Sequence, residues 1–120
     1  MKTKIGIICI VLAIAGCAGI SLYRTIAPNR SNLEKLSVGM SKEQVLQIMG
    51  TKNFVCGGMT INNPFRVTKL QAASRTYEIV FYVTSVVVDD NVIDENELTP
   101  LVFYQAKLMG WGWGYIDTIR

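Results

Sequence analysis

The stretch from Leu36 to Thr51, L-S-V-G-M-S-K-E-Q-V-L-Q-I-M-G-T, constrains the fold more than any other. Ser41-Lys42-Glu43-Gln44 is a capping box, in which the hydroxyl and the Gln side chain each satisfy a backbone N–H left over at a helix start. Met40, just before it, is placed to staple onto Val45. Val45, Ile48 and Met49 then share one helix face, while Lys42, Gln44 and Gln47 lie off it. Gly50 closes the helix where a positive φ is cheapest for glycine. Upstream, Ser31-Asn32-Leu33-Glu34 repeats the hydroxyl-to-carboxylate spacing and predicts a short helix from Ser31 to about Ser37, broken at Val38-Gly39. Helices this short are marginal alone, so their apolar stripes need a second layer to pack on.

The second half of the chain supplies it. Between Arg75 and Val88, Tyr77, Ile79, Phe81 and Val83 alternate with Thr76, Glu78, Val80, Tyr82 and Thr84. This predicts a strand whose odd positions face the helices and whose even positions form the wetter side. Leu98–Tyr104 reads as a second strand, with Pro100 near its start where the missing N–H does least harm. Lys107–Tyr115 reads as a third. Its Gly110-Trp111-Gly112-Trp113-Gly114 run sets two indoles on one sheet face, either covering the sheet or exposed as a contact patch. Asn53–Arg66, rich in Gly and Asn with Pro64, reads as a long loop or irregular hairpin. The expected class is α+β, with two N-terminal helices packed on a small antiparallel sheet of three (to four) strands.

The first thirty residues read as an address. Lys2 and Lys4 precede an uncharged run from Ile5 to Gly16, which is a signal-like charged region followed by an apolar one. Ile14-Ala15-Gly16-Cys17 then resembles the lipobox of bacterial lipoproteins. That resemblance implies acylation of the Cys17 sulfur, palmitate among the added chains, and cleavage between Gly16 and Cys17. Cys9 follows the bulky Ile8 and does not fit. Because the apolar character continues to Tyr23, an uncleaved inner-membrane anchor with a periplasmic domain is the rival reading. Ala18–Arg30 mixes small, apolar and basic residues around Pro28 and is expected to be a tether. The chain thus divides into a signal peptide over 1–16, a lipidated cysteine and tether over 17–30, and a folded domain over 31–117.

Composition narrows the functions. The formal charge is +3, but setting aside Lys2 and Lys4 leaves ten basic against nine acidic side chains. A nearly neutral domain offers no electrostatic footprint for nucleic acid. Histidine is absent, removing the commonest general base and metal ligand. Of the three cysteines, Cys56 is expected to be buried and unpaired, with a reactive or intermolecular role as the alternative. Asp89-Asp90-Asn91-Val92-Ile93-Asp94-Glu95-Asn96-Glu97 carries five carboxylates, without the order or glycine of an EF-hand. It is read as a solvated hairpin loop, Asp89, Asp90 and Asp94 being the weak cation candidates. No catalytic set, cofactor motif or small-molecule site is recognised.

Leu36-x-x-Gly39-Met40-Ser41-x-x-x-Val45-x-x-x-Met49-Gly50-Thr51 resembles the helical signature of the SmpA/OmlA (BamE-like) lipoproteins, with Lys52 where that family usually has Pro. Asp94-Glu95-x-Glu97-Leu98-Thr99-Pro100-Leu101-Val102-Phe103 and Lys107-Leu108-x-Gly110-Trp111-Gly112 resemble bacterial lipoproteins carrying a domain of unknown function related to that fold. The resemblance spans about Asn29 to Tyr115. It implies helices on a small antiparallel sheet, as also in the β-lactamase inhibitor protein family, and a membrane-tethered envelope location. With Ala18 after Cys17, the lipoprotein resemblance further implies the periplasmic face of the outer membrane. The expected function is a protein-binding accessory or scaffold with an envelope protein as partner, touching it through the exposed sheet face, an edge strand or the Trp111/Trp113 region, with Trp111, Trp113 and Tyr82 as the candidate contact residues. An inhibitor-type or calcium-binding envelope protein is the alternative.

Overall fold

The signature segment sets the architecture. In the computed structural model, which describes residues 19–87 and 92–120, Ser41 caps the helix Lys42–Met49. Its hydroxyl accepts the Gln44 N–H at 3.2 Å and the Gln44 Oε1 accepts the Ser41 N–H at 3.0 Å. Gly50 ends the helix at φ +87°, a backbone region open to glycine. In chain order the elements are α1 (Gly19–Thr25), α2 (Ala27–Leu33), α3 (Lys42–Met49), β1 (Phe54–Cys56), β2 (Met59–Ile61), β3 (Arg66–Ala72), β4 (Arg75–Val83), a 3₁₀ turn (Glu95–Glu97), β5 (Leu98–Tyr104), β6 (Lys107–Trp111) and α4 (Trp113–Ile119). The class is α+β. β1 and β2 form a two-stranded sheet, and the main antiparallel sheet has the order β3-β4-β5-β6.

Both faces of the main sheet are buried at β4 and β5, where the alternation in β4 had suggested one wet side. Tyr77, Ile79, Phe81 and Val83 pack with Leu22, Ile26, Ile61 and Ile116 in one cluster. Val80 and Tyr82 pack with Val45, Met49, Leu101, Phe103 and Leu108 in the other. The signature helix α3 therefore covers the even side, opposite to expectation. The odd side is covered by α1, the β1–β2 hairpin and α4. Alternation shows which residues share a face; it carries no information about which distant segment lands on each.

Several boundaries also differ. α2 begins a turn earlier than the Ser31 box suggested, with Pro28 in its first turn, where a missing N–H costs nothing. Ser31 lies inside it, its hydroxyl donating to the Pro28 carbonyl at 3.2 Å. The described part of the expected tether is helical and contributes Leu22, Ile26 and Asn29 to the interior. The buried Asn29 amide ties α2 to the sheet, Nδ2 donating to Asn63 Oδ1 and to the Val83 carbonyl, both at 2.9 Å. β3 adds the fourth strand of the main sheet. The strand expected to run to Tyr115 stops at Trp111, because Gly112 at φ +96° turns the chain into α4. Gly110 is required by this turn: a Cβ there would lie 2.6 Å from the Tyr115 ring.

The two edges of the main sheet end differently. Along β6, Gly39 donates its N–H to the Leu108 carbonyl and Leu108 donates to the Met40 carbonyl, both at 2.8 Å. Lys42 donates to the Ala106 carbonyl at 2.9 Å, and Ser41 forms a bridge with Lys107. The Gly39–Lys42 segment thus acts as a short extra strand that closes this edge. On the other side, β3 pairs with β4 alone, and no described segment bonds to its outer side.

Candidate functional site

The three expected contact residues separate. Trp111, at the end of β6, packs on the α3 side of the sheet. Trp113, the first residue of α4, packs on the opposite side. The indoles therefore do not share a face, since the strand ends between them. Tyr82 is fully buried, and its hydroxyl donates to the Gly50 carbonyl at 2.8 Å. Burial pushes its pKa up to about 12. It is an internal strut joining β4 to the end of α3 and offers no surface to a partner.

Trp113 keeps part of its ring at the surface and is fixed at both ends. Its Nε1 donates to the Leu98 carbonyl at 3.0 Å, and its ring lies 5.7 Å from that of Phe81 at a 41° tilt. The Arg66 guanidinium also lies over Phe81, 4.3 Å from the ring centre, a cation–π arrangement. Arg66 in turn donates to Glu95 Oε2 at 2.7 Å. Glu95, Asn96 and Trp113 line an open, largely apolar groove of about 460 Å³. The hydrogen bond from Arg66 lowers the Glu95 pKa, so Glu95 is an anion at neutral pH. A rigid indole beside a charged rim suits an apolar side chain flanked by polar backbone.

The acidic stretch is divided. Asp89 and Asp90 lie outside the described residues. Glu97 is buried rather than solvated, accepting the backbone N–H groups of Val87 and Asp94, each at 2.7 Å. Those bonds fold the end of the loop back on β4 and β5. Glu95 is engaged by Arg66, and among the described residues no group of three acidic or cysteine side chains is placed to hold a metal ion. Cys56 is buried, as expected, but it is disulfide-bonded rather than unpaired. The Thr25 hydroxyl donates to its sulfur at 3.6 Å. The lipobox, Cys17 and the Gly16–Cys17 cleavage position also lie outside the described residues.

A second groove runs along α1 and α2, lined by Arg24, Ala27, Pro28, Arg30, Ser31 and Glu34. Arg30 is committed there, donating to the Thr84 carbonyl at 3.3 Å and the Tyr23 carbonyl at 3.1 Å while stacking over the Tyr23 ring at 3.7 Å.

Sequence reasoning did not join Arg66 to Glu95, 29 positions apart, and no local signal does. It missed α4 as well, since Lys107–Tyr115 reads as one strand; the signal that could have found the helix is the spacing of Trp113, Ile116 and Ile119. In comparison with known proteins, residues 24–117 fit the model of a family described as a protein of unknown function (DUF3192). No curated protein and no solved structure matches the chain.

Proposed function

This chain belongs to the DUF3192 family, and we propose that it is a lipid-anchored cell-envelope protein whose domain binds another protein as an accessory or scaffold. The observation that carries the binding half is the open apolar groove at Trp113, rimmed by the Arg66–Glu95 pair. Among the described residues, the lining offers an anchor pocket and no nucleophile with a base beside it, so binding is the role assigned. The anchoring half is supported by Ile14-Ala15-Gly16-Cys17 after a charged and then apolar start. In this reading Gly16–Cys17 is cut, the Cys17 sulfur carries the lipid, and Ala18 directs the protein to the periplasmic face of the outer membrane. No described helix is long and apolar enough to cross a membrane. Kinship with the SmpA/OmlA lipoproteins belongs to the same proposal, supported by the Gly39-Met40-Ser41 turn and the helix that follows it.

The two halves are tested separately. A diacylglyceryl thioether removes the Cys17 sulfur from thiol and disulfide chemistry, so metabolic palmitate labelling should vanish in Cys17→Ser. Undiminished labelling, or a non-reduced peptide joining Cys17 to Cys56, contradicts the anchor. For binding, the full-length protein is purified from its own envelope beside a Trp113→Ala variant. The proposal expects a stoichiometric envelope protein with the natural chain and its loss with the variant, since a buried aromatic anchor carries much of an interface. Recovery of no partner, or an equal amount with both chains, contradicts it.

A further inference from the structure

The outer side of β3 offers a row of backbone N–H and C=O groups over seven residues, whose natural complement is another extended backbone. We propose that β3 receives an extended segment of the partner protein as an added strand, with a carboxylate of that segment facing Lys69. This rests on the protein-binding reading above and specifies how the partner is held.

Three observations carry it. First, the chain closes its other sheet edge with Gly39–Lys42 and, among the described residues, leaves this one open. Second, the charge on the strand is one-sided and only half answered. β3 holds Arg66 and Lys69 and no acid. Arg66 is answered by Glu95 at 2.7 Å. Lys69 stands opposite Glu78 on β4, but Glu78 is bonded to Lys42 at 2.6 Å. Among the described residues Lys69 has no ion pair, and it sits exposed in the middle of the open edge. Third, β3 adjoins the groove, because Arg66 at its first position is bonded to Glu95 in the groove wall. A strand laid along β3 therefore has an apolar anchoring site at one end.

The same lysine selects the occupant. Two copies of β3 paired antiparallel about Lys69 would set like charges directly opposite one another, a destabilising arrangement. Edge lysines commonly prevent this kind of self-association. An acidic strand from a different protein meets the lysine favourably.

The test places a photo-crosslinking residue in the full-length membrane-tethered protein, in its own envelope, at Thr68 on the open edge, at Asn96 in the groove and at the exposed Glu43 on α3 as a control. The proposal expects Thr68 to capture an Asp- or Glu-containing segment of another protein, well above Glu43. Lys69→Glu should cut that yield about tenfold while Lys69→Arg keeps it, as expected for a charge that guides pairing; circular dichroism confirms that both variants fold. Capture only of a second copy or of lipid, a Thr68 yield no higher than Glu43, or indifference to Lys69→Glu overturns strand addition. Capture from Asn96 without capture from Thr68 overturns it while leaving the protein-binding reading in place, and capture from neither removes both.

Discussion

The two edges of the main sheet use similar strands and reach opposite ends. β6 is met along its outer side by Gly39–Lys42, whose shape is fixed by the Ser41 capping box. β3 is longer, exposes Val67, Thr68, Lys69 and Gln71, and meets no described neighbour beyond β4. The difference shows a local helix-start motif acting at long range. The same few residues that begin α3 satisfy the backbone of a strand more than sixty positions later. The edge without such a partner is the one that adjoins the Trp113 groove.

Four substitutions break or sharpen this contrast. The largest effect is expected at the closed edge. Leu108 is fully buried in the cluster beneath α3, and both of its backbone groups bond to Gly39 and Met40. Leu108→Ala should lower stability by about 2–5 kcal/mol in urea unfolding, the usual cost of truncating a core leucine.

Next comes Tyr82, which braces the same side. Its folded pKa of about 12 lies above the ordinary tyrosine value of about 10. The stability tied to the protonated phenol is therefore whole below about pH 10 and declines as the pH rises toward 12. Tyr82→Phe lacks this titration. It should be about 1 kcal/mol less stable at neutral pH for want of the Gly50 hydrogen bond. It should then gain on the natural chain by as much as about 2–3 kcal/mol across the alkaline window.

Ser41→Ala removes half of the capping box and should cost about 0.5–2 kcal/mol. It should also speed hydrogen exchange at Gly39 and Leu108, coupling helix start to sheet edge. The smallest effect belongs to the open side. Glu95→Gln loses an exposed ion pair worth at most about 0.5–1 kcal/mol. Because Arg66 lowers the Glu95 pKa, that contribution is present above the ordinary carboxylate value and is lost as the pH falls through the folded one. The gap between the two chains should therefore close in acid.

Much of this arrangement was legible in the residues. The Ser41 box, the Gly50 stop and the paired faces of β4 are local patterns with one physical reading each. Residues 19–30 were harder, because Leu22 on α1, Ile26 at the turn and Asn29 on α2 face the interior, and the break between two seven-residue helices interrupts any single period. β3 carries little alternation because an edge strand buries little on either side. At the C-terminus, the β-branched and aromatic residues after Gly112 favour strand by propensity, while the 113, 116, 119 spacing and the glycine turn favour helix, and tertiary packing on Gly110 decides. For the candidate site, Trp113 was visible as a residue, but its separation from Trp111 depends on the strand ending between them. The partners Arg66 and Glu95 meet only through strand pairing. Tyr82 was misplaced because one alternating strand does not reveal that both of its faces are covered.

The central claim is that the chain closes one sheet edge itself and, among the described residues, leaves the other open. Residue-resolved hydrogen exchange on the purified full-length protein tests it directly. The Gly39 and Leu108 amides should exchange as slowly as those of β4 and β5, while alternate amides of β3, those pointing outward, exchange rapidly. Uniformly slow exchange along the whole of β3 would mean that the chain already covers that edge, and would contradict the account.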